Sequence, residues 1–237
     1  MRFSAAVLFL LLLAAPGHAQ SIAVDLGGDS VSMRTVQLFL MVSVLSLAPG
    51  LAVMVTCFPF IVTVLSILRQ AIGVQQAPPN MLIVSLALFL TWFVMEPTLE
   101  AAWEQGISPV IEGTLEVRDA IPITIEPFRG FMQARVDVDT LDTLADARGI
   151  TLEEGAPPLH MLVPAFMLTE VQRGFEVGFL IFLPFLVIDL VIAAILMSMG
   201  MMMVPPAVVA LPFKLAFFVL ADGWALLAGA LIRSYAP

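Results

Sequence analysis

A single cysteine, Cys57, and two histidines, His18 and His160, stand in 237 residues. One thiol excludes an internal disulfide framework and a cysteine-based zinc site. Two histidines exclude a histidine-rich metal site. Charge is scarce as well: Asp, Glu, Lys and Arg make up 12% of the chain, about half their share in a soluble protein. The basic residues number 10 against 19 acidic ones, a balance that does not describe a nucleic-acid or anionic-lipid surface. No His-Glu zinc spacing, no phosphate-cradling glycine loop with its lysine and no Ser-His pair occurs. The sequence therefore points to no catalytic residue, metal or cofactor, and the chain does not read as an enzyme.

What is present is apolar. Hydrophobic residues make up 60% of the chain and the mean hydropathy is +1.03, which places it in the membrane class. Residues 1–19 have the pattern of a secretory signal: Arg2, an apolar run over Ala5–Ala15, the breakers Pro16 and Gly17, and cleavage expected after Ala19. The other reading of this stretch is an uncleaved anchor helix. Residues 20–35 form a short polar N-terminal segment outside the membrane, and 36–95 a first apolar helical hairpin. Pro49-Gly50 is expected to break this hairpin's first arm, and Gly73 with Pro78-Pro79 to form its loop. The 15 residues Met81–Met95 are short for a lipid-exposed span and suit a helix buried among others. Residues 96–160 hold 13 acidic and 4 basic side chains, so this segment accounts for the whole net charge of −9. It reads as a small acidic domain outside the membrane or as a solvated linker. Arg69 marks the first loop as cytoplasmic, which puts the acidic segment on the outer side.

Residues 161–237 form a second apolar hairpin. Its tip spans Gly200–Pro206, with Pro205 and Pro206 making the turn, and Pro184 and Pro212 are expected to bend the arms. Three intramembrane charges need partners: Asp189, Lys214 and Asp222. The pairing expected here is Glu170 with Lys214, from another helix or another subunit; Lys214 could instead snorkel to water. Gly174–Gly178 and Ala225–Gly229 are small-x-x-x-small pairs that permit close helix packing. Five of the 14 methionines fall at 197, 199, 201, 202 and 203. Met201, Met202 and Met203 cannot all face one side of a helix. They could form a deformable apolar plug on the axis of a ring, or fill a gap in a core.

The run "FLPFLVIDLVIAAILMSMGMMMVPPAVVALPFKLAFFVLADGW" at 182–224 closely resembles the FliP family, called SctR in injectisomes. "LRQAIGVQQAPPN" at 68–80, "LALFLTWFVMEP" at 86–97 and "LVPAFMLTEVQRGFEVGF" at 162–179 carry the same resemblance. It covers about 36–97 and 160–235. Pro59 and Phe60 depart from it, standing where the family has a Thr-Arg pair. The resemblance implies an all-α protein whose membrane-inserted hairpins assemble into an oligomeric helical cone, the type III export gate. It implies five copies joined by FliQ and FliR, contact with FlhB and FlhA, and unfolded export substrates in the pore. Met201, Met202 and Met203 would be the pore gasket, and the location the bacterial inner membrane at the flagellar basal body. The alternative from the residues alone is a subunit of a small ion- or proton-coupled transporter, with Asp189, Asp222 and Lys214 as its relay. A purely structural membrane scaffold is a third reading.

Overall fold

The computed structural model describes residues 30–74, 77–150, 155–201 and 203–235. The expected signal segment, 1–19, lies outside them. The described residues form helices and connecting turns, with no strand among them, so the chain is all-α. In order the helices are α1 (Ser30–Met54), α2 (Phe58–Ile72), α3 (Asn80–Ala102), α4 (Ser108–Ile111), α5 (Val117–Gln133), α6 (Val138–Ala147), α7 (Leu159–Ser198), α8 (Pro206–Leu220) and α9 (Gly223–Arg233). A π-helical turn, Trp103–Ile107, joins α3 to α4.

Three stretches among the described residues are long and apolar enough to cross a membrane: Arg34–Met54, Asn80–Ile111 and Leu159–Ser198. The pair α8 and α9, bent by 61°, makes a fourth when taken together. The chain divides between Leu47 and Ala48 into two compact units. In the first, apolar side chains such as Leu38, Phe39 and Leu45 are exposed.

The second unit is built around α2. Its Phe60, Ile61, Val64, Leu65, Leu68, Ala71 and Ile72 are all buried, at the three- and four-residue spacing of one broad helical face. α7, α3 and α8 pack around it. Within lipid the hydrophobic effect does not drive helices together, so close packing and polar contacts must hold them. Gly174 and Gly178 supply the close packing. A Cβ at Gly174 would lie 3.0 Å from Thr63 of α2, and one at Gly178 only 2.3 Å from Ile67. The second small-residue pair does not act this way: the nearest atom to a Cβ at Gly229 belongs to Arg233 of the same helix.

Several expectations about breaks are corrected. α1 runs through Pro49, and the chain breaks instead at 55–57, just before Pro59 in the first turn of α2. Proline suits a first helical turn, where its missing N–H would be unbonded anyway. α3 continues through Pro97 to Ala102 and is only half buried. It faces the core with Ile83, Ala87, Leu90 and Met95 and exposes Leu82, Phe89, Trp92 and Phe93. The first arm of the second hairpin starts at Leu159, two residues before the expected 161. The second arm passes through Pro212 and breaks at Asp222, a non-glycine residue at φ 50°.

Most of the acidic stretch is helical in the described residues. α5 turns an apolar stripe, including Phe128 and Phe131, towards the core, and α6 lies on α7 through Leu141 and Ala145. Asp137 caps α6, accepting from the Thr140 N–H at 3.0 Å and the Thr140 hydroxyl at 2.8 Å. This cap lies against α7, since the Asp137 N–H donates to Thr169 Oγ1 at 3.1 Å.

Candidate functional site

The hairpin of α7 and α8 organises every candidate residue. The tip lies between Met199, which caps α7, and Pro205, which precedes α8. Gly200 takes φ +75°, a conformation that costs a glycine nothing and lets α7 end abruptly. Its N–H donates to the Met197 carbonyl at 3.1 Å and that of Met201 to the Leu196 carbonyl at 2.9 Å, so both close the last turn. Met202 lies outside the described residues. The neighbouring methionines face outward: Met197, Met199 and Met201 are exposed, and Met203 is 97% exposed. The described methionines of the tip therefore fill no core gap.

The expected pair of Glu170 with Lys214 is replaced by two separate clusters. Lys214 of α8 donates to Asp189 Oδ2 of α7 at 2.6 Å, and the same ammonium donates to the Ala71 carbonyl at 2.9 Å. Ala71 lies in the last turn of α2, where carbonyls have no partner within their helix and carry the negative end of its dipole. One ammonium thus neutralises a carboxylate and caps another helix. Lys214 is buried, at 6% exposure, and does not snorkel. Asp189 Oδ1 is also buried and has no hydrogen-bond partner among the described residues.

Glu170 is fully buried, and both of its oxygens are bonded. Arg135, from the connection between α5 and α6, donates through Nε to Oε1 at 3.2 Å. The Tyr235 hydroxyl donates to Oε2. The Arg135 guanidinium also lies 3.9 Å from the centre of the Tyr235 ring and donates to the Ser234 carbonyl at 2.8 Å. Phe131 stacks on the same ring. Burial, and then the adjacent Glu170 carboxylate, push the Tyr235 phenol far above its ordinary pKa. It therefore stays protonated and available as a donor across the neutral range.

The Lys214 pairing follows from the hairpin. Asp189 and Lys214 stand level on its two arms, because the tip lies midway between them in sequence. Glu170 stands level with Arg233 by the same count, close to Tyr235. Counting outward from the methionines at 201 and 202 would have paired Lys214 with Asp189. Nothing in the sequence marked Arg135 as a partner of Glu170. Asp222 joins neither cluster. It is exposed and sits at the break before α9, where Gly223 lies so close to Phe218 that a Cβ would come within 2.2 Å of its ring.

The chain matches the FliP family over residues 41–231. It is 48% identical over 234 residues to the flagellar biosynthetic protein FliP of Caulobacter vibrioides, covering 98% of this chain and 88% of that protein. It is 44% identical to FliP of Agrobacterium fabrum over 243 aligned positions, covering 99% of both chains. Against FliP of Bacillus subtilis the identity is 40%, with 85% of this chain and 92% of that protein aligned. With the match running through α2, the acidic stretch and the methionine hairpin alike, the chain belongs to the FliP family.

Proposed function

We propose that this chain is a core subunit of the flagellar protein export gate in the bacterial inner membrane, within the basal body. In this reading five copies join FliQ and FliR, with contacts to FlhB and FlhA. Unfolded flagellar proteins pass through the ring, and the subunit acts as conduit and scaffold rather than as a catalyst. Met201, Met202 and Met203 form the seal. The observation that carries this is the exposed methionine tip at the end of a hairpin pinned by Lys214 and Asp189. Unbranched thioether side chains on a fixed turn suit a surface that deforms around a passing chain and recloses. The family to which the chain belongs supports the flagellar setting.

The test is cysteine crosslinking at Met203 and at Met202 in membranes, with buried Cys57 replaced by Ala. Efficient crosslinks between copies are expected, because a gasket requires the tips to converge. Absence of such crosslinks at both positions, in chains that still assemble, would remove the gasket role. The transporter reading draws less support. Its relay needs Asp222 to act with Asp189 and Lys214, yet no ion pair joins Asp222 to Lys214 among the described residues.

A further inference from the structure

Position 60 is a departure that the methionine hairpin does not account for. Phe60 stands where the FliP family has the arginine of its Thr-Arg pair. It is buried in the first turn of α2, and its surroundings are those of the Glu170 cluster. The Phe60 carbonyl lies 3.4 Å from where a Cβ at Gly174 would stand. Gly174 is four residues along α7 from Glu170, on the same helical face. The Phe60 ring meets that of Tyr235 edge to face, with centres 5.6 Å apart, and the Tyr235 hydroxyl donates to Glu170. A guanidinium set where the Phe60 ring lies would therefore have the Tyr235 ring and the Glu170 carboxylate for neighbours.

A fully buried carboxylate needs a cation beside it, and a second unpaired cation in the same place would itself be a buried charge. Among the described residues the ion-pair partner of Glu170 is Arg135, while Arg173, three residues on in α7, forms no ion pair with it. Arg135 comes neither from α2 nor from α7 but from the connection between α5 and α6. That source brings other contacts with it. The same guanidinium covers the Tyr235 ring and donates to the Ser234 carbonyl. Two residues on, the Asp137 N–H donates to Thr169, next to Glu170 in α7. One cation thus joins the acidic stretch, α7 and residues 234–235. A cation on α2 would join only two helices that already pack together.

We infer that position 60 and Arg135 are alternative sources of the one cation that Glu170 requires. In this chain the acidic stretch supplies it, so that neutralising the carboxylate also ties that stretch and residues 234–235 to the base of the second hairpin. Phe60 is the other half of the exchange, an uncharged ring that holds Tyr235 in place. The test is thermal unfolding of the full chain in detergent, followed by helical circular dichroism. Phe60→Arg in the parent chain crowds two guanidiniums onto one carboxylate and should lower the midpoint. In an Arg135→Ala background the same substitution returns the missing cation. It should raise the midpoint there, recovering at least half of a loss on the order of 10 °C. Phe60→Met, of similar bulk and no charge, should raise it in neither background. Thermolysin cleavage within 134–150 gives the second reading. Arg135→Ala should speed it several-fold, and adding Phe60→Arg should leave it fast, because the tie is not remade. If Phe60→Arg does not fold in that background, Glu170→Gln takes its place, since an amide needs no counter-ion, and should recover part of the midpoint. The same effect of Phe60→Arg in both backgrounds, or no recovery by either Phe60→Arg or Glu170→Gln, would overturn the exchange. Protection from thermolysin restored along with the midpoint, or never lost in Arg135→Ala, would overturn the tie.

Discussion

At the scale of single residues, Lys214 carries more than one contact. It holds Asp189 at 2.6 Å and the Ala71 carbonyl at 2.9 Å, so its loss strands a carboxylate and uncaps α2. Breaking a buried pair by removing one partner costs about 3–5 kcal/mol, and less where a partner is partly exposed, as the Asp189 side chain is at 32%. Lys214→Ala should therefore destabilise the chain strongly in detergent unfolding. A double-mutant cycle with Asp189→Asn should show coupling of at least ~0.5 kcal/mol. A cycle of Lys214→Ala with Glu170→Gln should be additive; strong coupling there would mean that the two clusters communicate. Tyr235→Phe removes one of the two groups bonded to a fully buried carboxylate. A loss of about 1–3 kcal/mol is expected, visible as a lower midpoint of thermal unfolding. Arg135 and Tyr235 escaped detection in the sequence for a physical reason. Their partner Glu170 is more than thirty residues from either, and nothing local in the chain records which turn of α7 the α5–α6 connection will meet.

At the scale of elements, the seam between α2 and α7 is set by two glycines. Gly178→Leu would push a side chain into Ile67, which a Cβ alone already approaches to 2.3 Å. Overpacking of this kind costs about 1–3 kcal/mol. The variant should unfold more readily, and Ile67→Ala should restore part of the loss. No rescue would place the strain elsewhere than at this contact. The glycine pair was readable from its spacing, as were the tip at Gly200–Pro206 and the loop after Gly73. Proline was a poorer guide. Pro49, Pro97, Pro164, Pro184 and Pro212 all lie inside continuous helices. A proline frees one carbonyl and bends the axis, and tertiary or lipid surroundings decide whether the helix goes on. The break within the second arm, at Asp222, has no proline beside it. It rests on a left-handed residue and on Gly223 against Phe218, which no periodicity announces.

At the scale of the molecule, the exposed apolar surface of α1, α3 and the α7–α8 hairpin is what a chain destined for lipid and partner subunits presents. Replacing Met201, Met202 and Met203 together with Ala should leave the fold intact, since the described members of the trio touch no core. Ion conductance through the assembled complex is expected to rise. A seal as tight as that of the parent protein would assign closure to other residues. The apolar blocks and the acidic segment were legible at this scale because composition alone separates them. The tie between them was not: Arg135 reaches from the acidic stretch into the base of the hairpin, and a count of charges treats the two as strangers.

The Ala71 carbonyl has a consequence in time. α2 is 15 residues long, about 22 Å at 1.5 Å per residue, shorter than the ~30 Å hydrocarbon layer. The ammonium that completes its last turn arrives 143 residues later in the chain. During synthesis the first hairpin must therefore wait, with an unfinished helix end, while the acidic stretch and then the second hairpin leave the ribosome. Biogenesis acquires an obligatory order, insertion first and consolidation afterwards. An early-inserted chain that is cut short before Lys214 should be the form that quality-control proteases find.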